Sequence, residues 1–229
     1  MKENKNILVG VIAGTPVDTA LGYNFLQQQG FDVVFFAISH SPQEQNDLQQ
    51  NHVDKLQATC LEEMIRMQEL GVEFILIYCS SLSSVLNVCY FREILKISVY
   101  TPLDCYSNIA NSYTRFGVVA ANATGLNGFE NAIMNKNKLA KITGMHNINI
   151  VREIENEKNP NKIIVDNALF EFVQMIERLQ CECIVLACTH FSYIKLELLA
   201  LTQLPLLDID SELLKLLRLN DITGDKPGT

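Results

Sequence analysis

Two short segments carry residue types that could do chemistry. Cys79 closes the apolar run Phe74–Tyr78 and is followed by Ser80 and Ser81; Cys188 closes Cys183–Ala187 and is followed by Thr189 and His190. A thiol between an apolar strand and a helix lies where unpaired backbone N–H groups and the positive end of the helix favour the thiolate. The hydroxyls beside it can hydrogen-bond an anion. Either cysteine alone reads equally well as a buried structural residue. As a matched pair they point to one reaction type in particular. One thiolate removes an α-proton from one face of a carbon acid and the other thiol returns a proton to the opposite face. The two sulfurs exchange roles with the direction of reaction. Such chemistry needs no metal and no organic cofactor, but it needs positioned donors for the charge that grows on the substrate carboxylate.

The elements that must position the two thiols follow from the hydropathy pattern. Apolar runs of four to eight residues occur at Ile7–Ala13, Val33–Ile38, Phe74–Tyr78, Ile97–Tyr100, Phe116–Ala121, Ile148–Val151, Cys183–Ala187 and Leu206–Ile209. Rich in Val, Ile and Phe and without strict alternation, they read as strands buried on both faces. Helical periodicity fills the intervals, as in Asp54–Leu70, stopped by Gly71, and Ile163–Leu179, with Pro160 just ahead of it. Strand and helix alternate along the whole chain, so the fold class is α/β with mostly parallel sheets and right-handed crossovers.

The halves resemble each other. Gly10–Ala13 with Thr15 matches Gly117–Ala120 with Thr124, and Gly71–Ser81 matches Gln180–His190. The glycines are 107 residues apart and the cysteines 109. A duplication predicts two pseudo-symmetric α/β lobes with the active site in the cleft between them. Their spans would be residues 1–100, completed by the C-terminal helix 210–229, and residues 101–209. Glu153–Asn161 is the most polar stretch and reads as a surface loop.

Composition narrows the function classes. The chain has 229 residues, 48% hydrophobic and 19% charged, with a net charge of −8. That suits a compact globular protein and makes nucleic acid or an anionic membrane surface a poor partner. No apolar window is long enough to span a bilayer. The amino terminus reads as a buried first strand, Ile7–Ala13, rather than a signal peptide, because the apolar stretch is short and lacks a cleavage site. Seven cysteines without framework spacing read as reduced thiols of a cytoplasmic protein, a catalytic pair plus five packing residues. Cys181, Cys183, Cys188 and His190 could suggest zinc, but an extended strand would hold Cys181 or Cys183 about 15 Å from His190. A thiol redox protein would have to use Cys79 with Cys188, since no C-x-x-C occurs. His40 follows the second strand and is a further candidate, or an ordinary loop histidine; Asp18 has no assigned role. Asp104 and Asp208 follow short strands and read equally as helix caps.

Cys188–Thr189–His190–Phe191 resembles the C-T-H-[YF] motif of glutamate racemases. Cys79–Ser80–Ser81 resembles the first cysteine motif of the aspartate/glutamate racemase family, commonly C-N-T. Gly117–Thr124 is similar to its G-[VIL]-[IL]-A-T-x-x-T segment, and Gly10–Pro16 to the amino-terminal turn of the aspartate branch. The resemblance covers most of the chain. It implies a cofactor-independent amino-acid racemase with Cys79 and Cys188 as the proton-transfer pair. It implies further that Thr15, Ser80, Ser81, Thr124, Thr189 and His190 contact a small amino-acid substrate, aspartate or glutamate, and that the protein is a homodimer. Three features depart from the family pattern. Ser80 stands where the usual Asn offers two amide donors, Ala121 replaces a Thr, and the amino-terminal D-S-G of glutamate racemases is absent. Hydantoin racemases, maleate isomerases and a non-catalytic amino-acid or dicarboxylate binder share the scaffold and remain alternatives.

Overall fold

A computed structural model describes residues 7–223; the terminal part of the expected helix 210–229, residues 224–229, and residues 1–6 ahead of the first strand lie outside it. The chain divides between Thr101 and Pro102 into two compact units, and the closing helix up to Leu219 belongs to the second.

The first unit contains β1 (Leu8–Ala13), α1 (Pro16–Gln28), β2 (Asp32–Ala37), α2 (Pro42–Asn51), α3 (Val53–Glu69), β3 (Phe74–Ile77), α4 (Ser80–Val85), α5 (Val88–Ile94) and β4 (Ser98–Tyr100). Its sheet is parallel, in the order β2-β1-β3-β4. The central strands β1 and β3 are buried, whereas the edge strand β2 is partly exposed and leaves Phe35 60% accessible. Leu56, Cys60, Met64 and Met67 of α3 pack with Ile12, Ile75 and Ile77 into one core cluster, which Cys79 and Leu82 join at the strand end.

The second unit repeats this plan. It contains α6 (Pro102–Ile109), β5 (Arg115–Ala120), α7 (Ala123–Lys136), β6 (Lys141–His146), α8 (Ile148–Glu155), α9 (Pro160–Asp166), α10 (Leu169–Arg178), β7 (Cys183–Ala187), a 3₁₀ turn (Thr189–Ile194), α11 (Lys195–Leu199), β8 (Leu206–Asp208) and α12 (Ile209–Thr223). The sheet is again parallel, in the order β6-β5-β7-β8. Two strand orders with the same pattern are what the duplicated sequence predicts.

Two expectations need correction. Ile148–Val151 is not a strand but the first turn of α8, capped by Asn147, whose side chain accepts from the Asn149 N–H at 3.0 Å. Ile150, Val151 and Ile154 bury one helical face. The sixth strand is Lys141–His146, an edge strand with polar and small residues that gives no continuous apolar run. The helix expected over Ile163–Leu179 breaks at Asn167 and Ala168, the latter left-handed at φ 53°. Asn167 holds the break by donating to Glu153 Oε2 at 2.7 Å and to the Ile163 carbonyl at 2.9 Å, and by accepting from Asn147 at 2.8 Å. The glycine stop also has a variant: Gly71 ends α3 at φ 87°, and its counterpart Gln180 follows α10 at φ 57°. Only the glycine adopts that region without steric cost. Among the described residues no helix is long and apolar enough to cross a membrane.

Candidate active site

In an open parallel sheet, ligands bind beyond the carboxyl ends of the strands. In each unit the strand third in chain order, β3 or β7, delivers a cysteine to that edge. Cys79 is the N-cap residue of α4 and Cys188 that of the 3₁₀ turn, both extended, at φ/ψ −165°/121° and −153°/135°. They are 6% and 9% accessible. The elements that follow are short, six residues each, and the second is a 3₁₀ turn. Few aligned peptide dipoles therefore stand behind either sulfur, and stabilisation of a thiolate falls to side chains.

The side chains around Cys79 come from α2 and α4. Gln45 Nε2 lies 3.2 Å from Cys79 Sγ and 3.5 Å from Ser81 Oγ. Gln49, one helical turn on, donates to Ser81 Oγ at 3.1 Å, and Ser81 Oγ is 3.5 Å from Cys79 Sγ. Ser80 is 3% accessible. Thr15, at the end of the neighbouring β1, caps α1: its hydroxyl accepts from the Asp18 N–H at 3.2 Å, and Asp18 Oδ2 accepts from the Gly14 N–H at 3.2 Å. This reciprocal arrangement gives Asp18 a structural role close to that of a capping box.

Around Cys188 the partners are ionisable. His190 Nδ1 is 3.8 Å from the sulfur, and His190 Nε2 is 3.1 Å from Glu155 Oε1 on α8. The histidine side chain is 4% accessible and the glutamate 14%. With Glu155 ionised, its carboxylate can only accept, which sets a proton on Nε2 and leaves Nδ1 towards the thiol. Nδ1 accepts from S–H when the ring is neutral and donates to the thiolate when the ring is charged. Thr189 is buried beside Cys188. Thr124 lies half-buried in the first turn of α7, whose N-cap is Asn122, accepting from the Gly125 N–H at 2.9 Å. Ala121, where the family pattern has a hydroxyl, packs on the hydrophobic core of its unit.

The remaining candidates are structural or lie on the surface. Asp208 caps α12 through the Ser211 N–H at 3.1 Å and pairs with Lys195 at 2.5 Å. Burial opposes its ionisation, but Lys195 and Ser211 outweigh that and hold the carboxyl below its ordinary range. His40 is exposed, and its backbone N–H is held by Glu44 at 2.7 Å. All seven cysteines are free, but Cys89 is exposed rather than part of the packing. Desolvation pushes Cys60 and Cys183 up to about 12, with nearby Glu63 adding to the rise at Cys60 and Cys181 and Glu182 adding to it at Cys183. Burial also raises Cys105 and Cys181. These four stay protonated and inert at neutral pH.

Gln45, Gln49 and Glu155 were not anticipated. Gln45 and Gln49 lie in the polar run Pro42–Asn51, where two glutamines four residues apart on one helical face were the available signal. Glu155 falls in the stretch read as a surface loop.

Comparison with known proteins bears on the whole chain. The model of the family described as Asp/Glu/Hydantoin racemase matches residues 8–216. Among curated protein sequences nothing matches significantly. Among solved structures, glutamate racemase from Francisella tularensis in complex with D-glutamate superimposes with a TM-score of 0.74 at 20% identity, over 98% of this chain and 84% of that one. Allantoin racemase from Klebsiella pneumoniae gives 0.67 at 16%, over 97% and 91%. Picrophilus torridus aspartate racemase gives 0.64 at 13%, over 90% of each chain. These similarities establish the same α/β fold. With the family model matching residues 8–216, the chain belongs to the Asp/Glu/hydantoin racemase family and is an isomerase of the racemase class.

Proposed function

We propose that the protein interconverts the L- and D-enantiomers of an acidic amino acid, aspartate or glutamate, by cofactor-free proton transfer between Cys79 and Cys188. The observation that carries this reading is the equivalence of the two thiols. Each ends the strand third in chain order of its sheet, each is nearly buried, and each has polar side chains at its sulfur.

In one direction a cysteine thiolate removes the α-proton and becomes a thiol. The electron pair left on carbon delocalises into the carboxylate. The other cysteine delivers its S–H proton to the opposite face and becomes the thiolate, so the enzyme finishes with its proton on the other sulfur. The reverse reaction resets it. The α-C–H is a weak acid, and most of the rate enhancement must come from donors that meet the charge on the carboxylate. Ser80, Ser81, Thr15, Thr124 and Thr189 are assigned to that task, and His190 to Cys188. The reading requires both sulfurs to reach one α-carbon, at about 3–3.5 Å each.

The test is incubation with L-Asp, L-Glu and a wider amino-acid panel in heavy water, following α-deuteration and chiral composition. Deuteration accompanied by loss of chirality for an acidic amino acid is the expected result. Turnover of a substituted hydantoin or of maleate instead would reassign the substrate. Binding of an amino acid without exchange at any α-carbon would sink the racemase reading.

A further inference from the structure

We propose that Gln45 supplies, from α2, the carboxamide that position 80 lacks, holding the Cys79 sulfur with one N–H and the substrate carboxyl group with the other. The inference rests on the racemase reading above.

The sequence poses the problem. The resemblance to the racemase family implies an Asn, with two amide donors, after the first cysteine; this chain has Ser80 there, whose hydroxyl has one. The structure brings carboxamides to the same thiol from elsewhere. Gln45 and Gln49 are one turn apart on one face of α2, and both reach the Cys79–Ser81 turn. A helix that buries a face normally buries apolar side chains there, because a buried amide costs free energy unless it is bonded. Gln49 is 3% accessible, and its Oε1 has no hydrogen-bond partner. The inward side of α2 thus carries amides beside the buried Pro42 and the core-packed Leu48.

Gly14 supplies an independent indication. The Gln45 carboxamide packs against Gly14, and a Cβ at position 14 would require the Gln45 side chain to shift. The Gly14 backbone is not in the left-handed region, so its conformation does not call for glycine. The missing side chain makes room. Gln45 thereby sits across the ends of the neighbouring strands β1 and β3, between the Gly14–Thr15 turn and Cys79. That is the crevice in which a parallel sheet binds its ligand.

The division of labour follows from the donor inventory. The Ser81 hydroxyl accepts from Gln49 at 3.1 Å and from Gln45 at 3.5 Å, the longer and weaker contact. One Gln45 N–H meets the sulfur at 3.2 Å, and in the proposal a substrate oxygen displaces the 3.5 Å Ser81 contact of the second. Both bonds strengthen with negative charge on their acceptors, so the amide favours the Cys79 thiolate beside a bound carboxylate.

The test uses the full-length protein and the variants Gln45→Ala, Gln45→Glu, Ser80→Asn and the Gln45→Ala/Ser80→Asn double variant. Two readouts are taken: kcat/KM for the best substrate of the panel, and the pH midpoint of Cys79 alkylation by iodoacetamide, resolved by peptide mass spectrometry. Gln45→Ala should raise the Cys79 midpoint by about one unit and lower kcat/KM about ten- to hundredfold. Gln45→Glu, which sets a carboxylate against both partners, should do more on both counts. In the Gln45→Ala background Ser80→Asn should restore most of the lost activity, and Cys188 alkylation should stay unchanged throughout. The proposal is overturned if Gln45→Ala leaves both readouts within twofold of wild type, or if the double variant is no better than Gln45→Ala. Absence of turnover in the wild type would sink the racemase reading and the substrate contact with it; the alkylation midpoint would still decide the hold on Cys79.

Discussion

Around Cys79 the hydrogen-bonding groups described above are a carboxamide and a hydroxyl, Gln45 and Ser81. Around Cys188 they are an imidazole backed by a carboxylate, His190 and Glu155. The strands that present the two cysteines are equivalent in order and register, so the backbone is not where the difference arises. It arises in the second residue after each cysteine, Ser81 or His190, and in α2 and α8, the helices that follow the edge strands β2 and β6. One contributes glutamines, which hold a charge but cannot take a proton. The other contributes a glutamate that fixes a histidine, and this pair can hold or release one. A duplicated scaffold thus sets different groups beside its two thiols: a carboxamide and a hydroxyl at Cys79, an imidazole and a carboxylate at Cys188.

The comparison can be broken at several places, which differ in expected size. Removing either sulfur is the most severe. Cys79→Ala and Cys188→Ala should each lower racemisation by about a thousandfold or more, the scale of lost general acid–base catalysis. Comparable losses at both would support equal roles for the thiols; a mild effect at one would break the symmetry.

The dyad comes next. His190→Asn should cost about tenfold to a hundredfold, because Cys188 loses the group that exchanges a proton with it. Glu155→Gln should cost less, about tenfold, since an amide can still orient the ring but does not favour its charged form. Both should change the pH profile of Cys188 alkylation and leave that of Cys79 alone, which distinguishes a local electrostatic role from general loss of structure.

The smallest effect concerns the other thiols and does not require turnover. Cys60 and Cys183, pushed up to about 12 by burial, remain protonated as pH rises through 8 and 9. In a timed alkylation at pH 8, exposed Cys89 should be modified first and Cys60 and Cys183 last. Early labelling of Cys183 in folded protein would contradict its burial.

Much of the fold was legible because parallel sheets bury their central strands on both faces. β1, β3, β5 and β7 are continuous apolar runs and were placed within a residue or two. The edge strand β6 was missed for the complementary reason: half-exposed, it carries Lys141, Thr143 and His146, while neighbouring Ile148–Val151 looked strand-like but is the buried face of a helix. The break at Asn167 escaped because apolar periodicity continues across it, and what enforces it is a set of side-chain hydrogen bonds to Asn147 and Glu153. The site divides similarly. Cysteine followed by hydroxyls at the end of an apolar run is a local pattern. Gln45 and Glu155 reach their targets from 34 and 35 residues away, through packing that no local pattern encodes.

The two-thiol account is tested most directly by following α-deuterium wash-in from heavy water separately for each enantiomer of the substrate, in wild type, Cys79→Ser and Cys188→Ser. The account predicts exchange of both enantiomers with racemisation in the wild type. Each serine variant should fail to racemise yet exchange one enantiomer only, the opposite one in the two variants, because each sulfur serves one face of the α-carbon. Loss of exchange with the same enantiomer in both variants, or racemisation surviving in either, would contradict it.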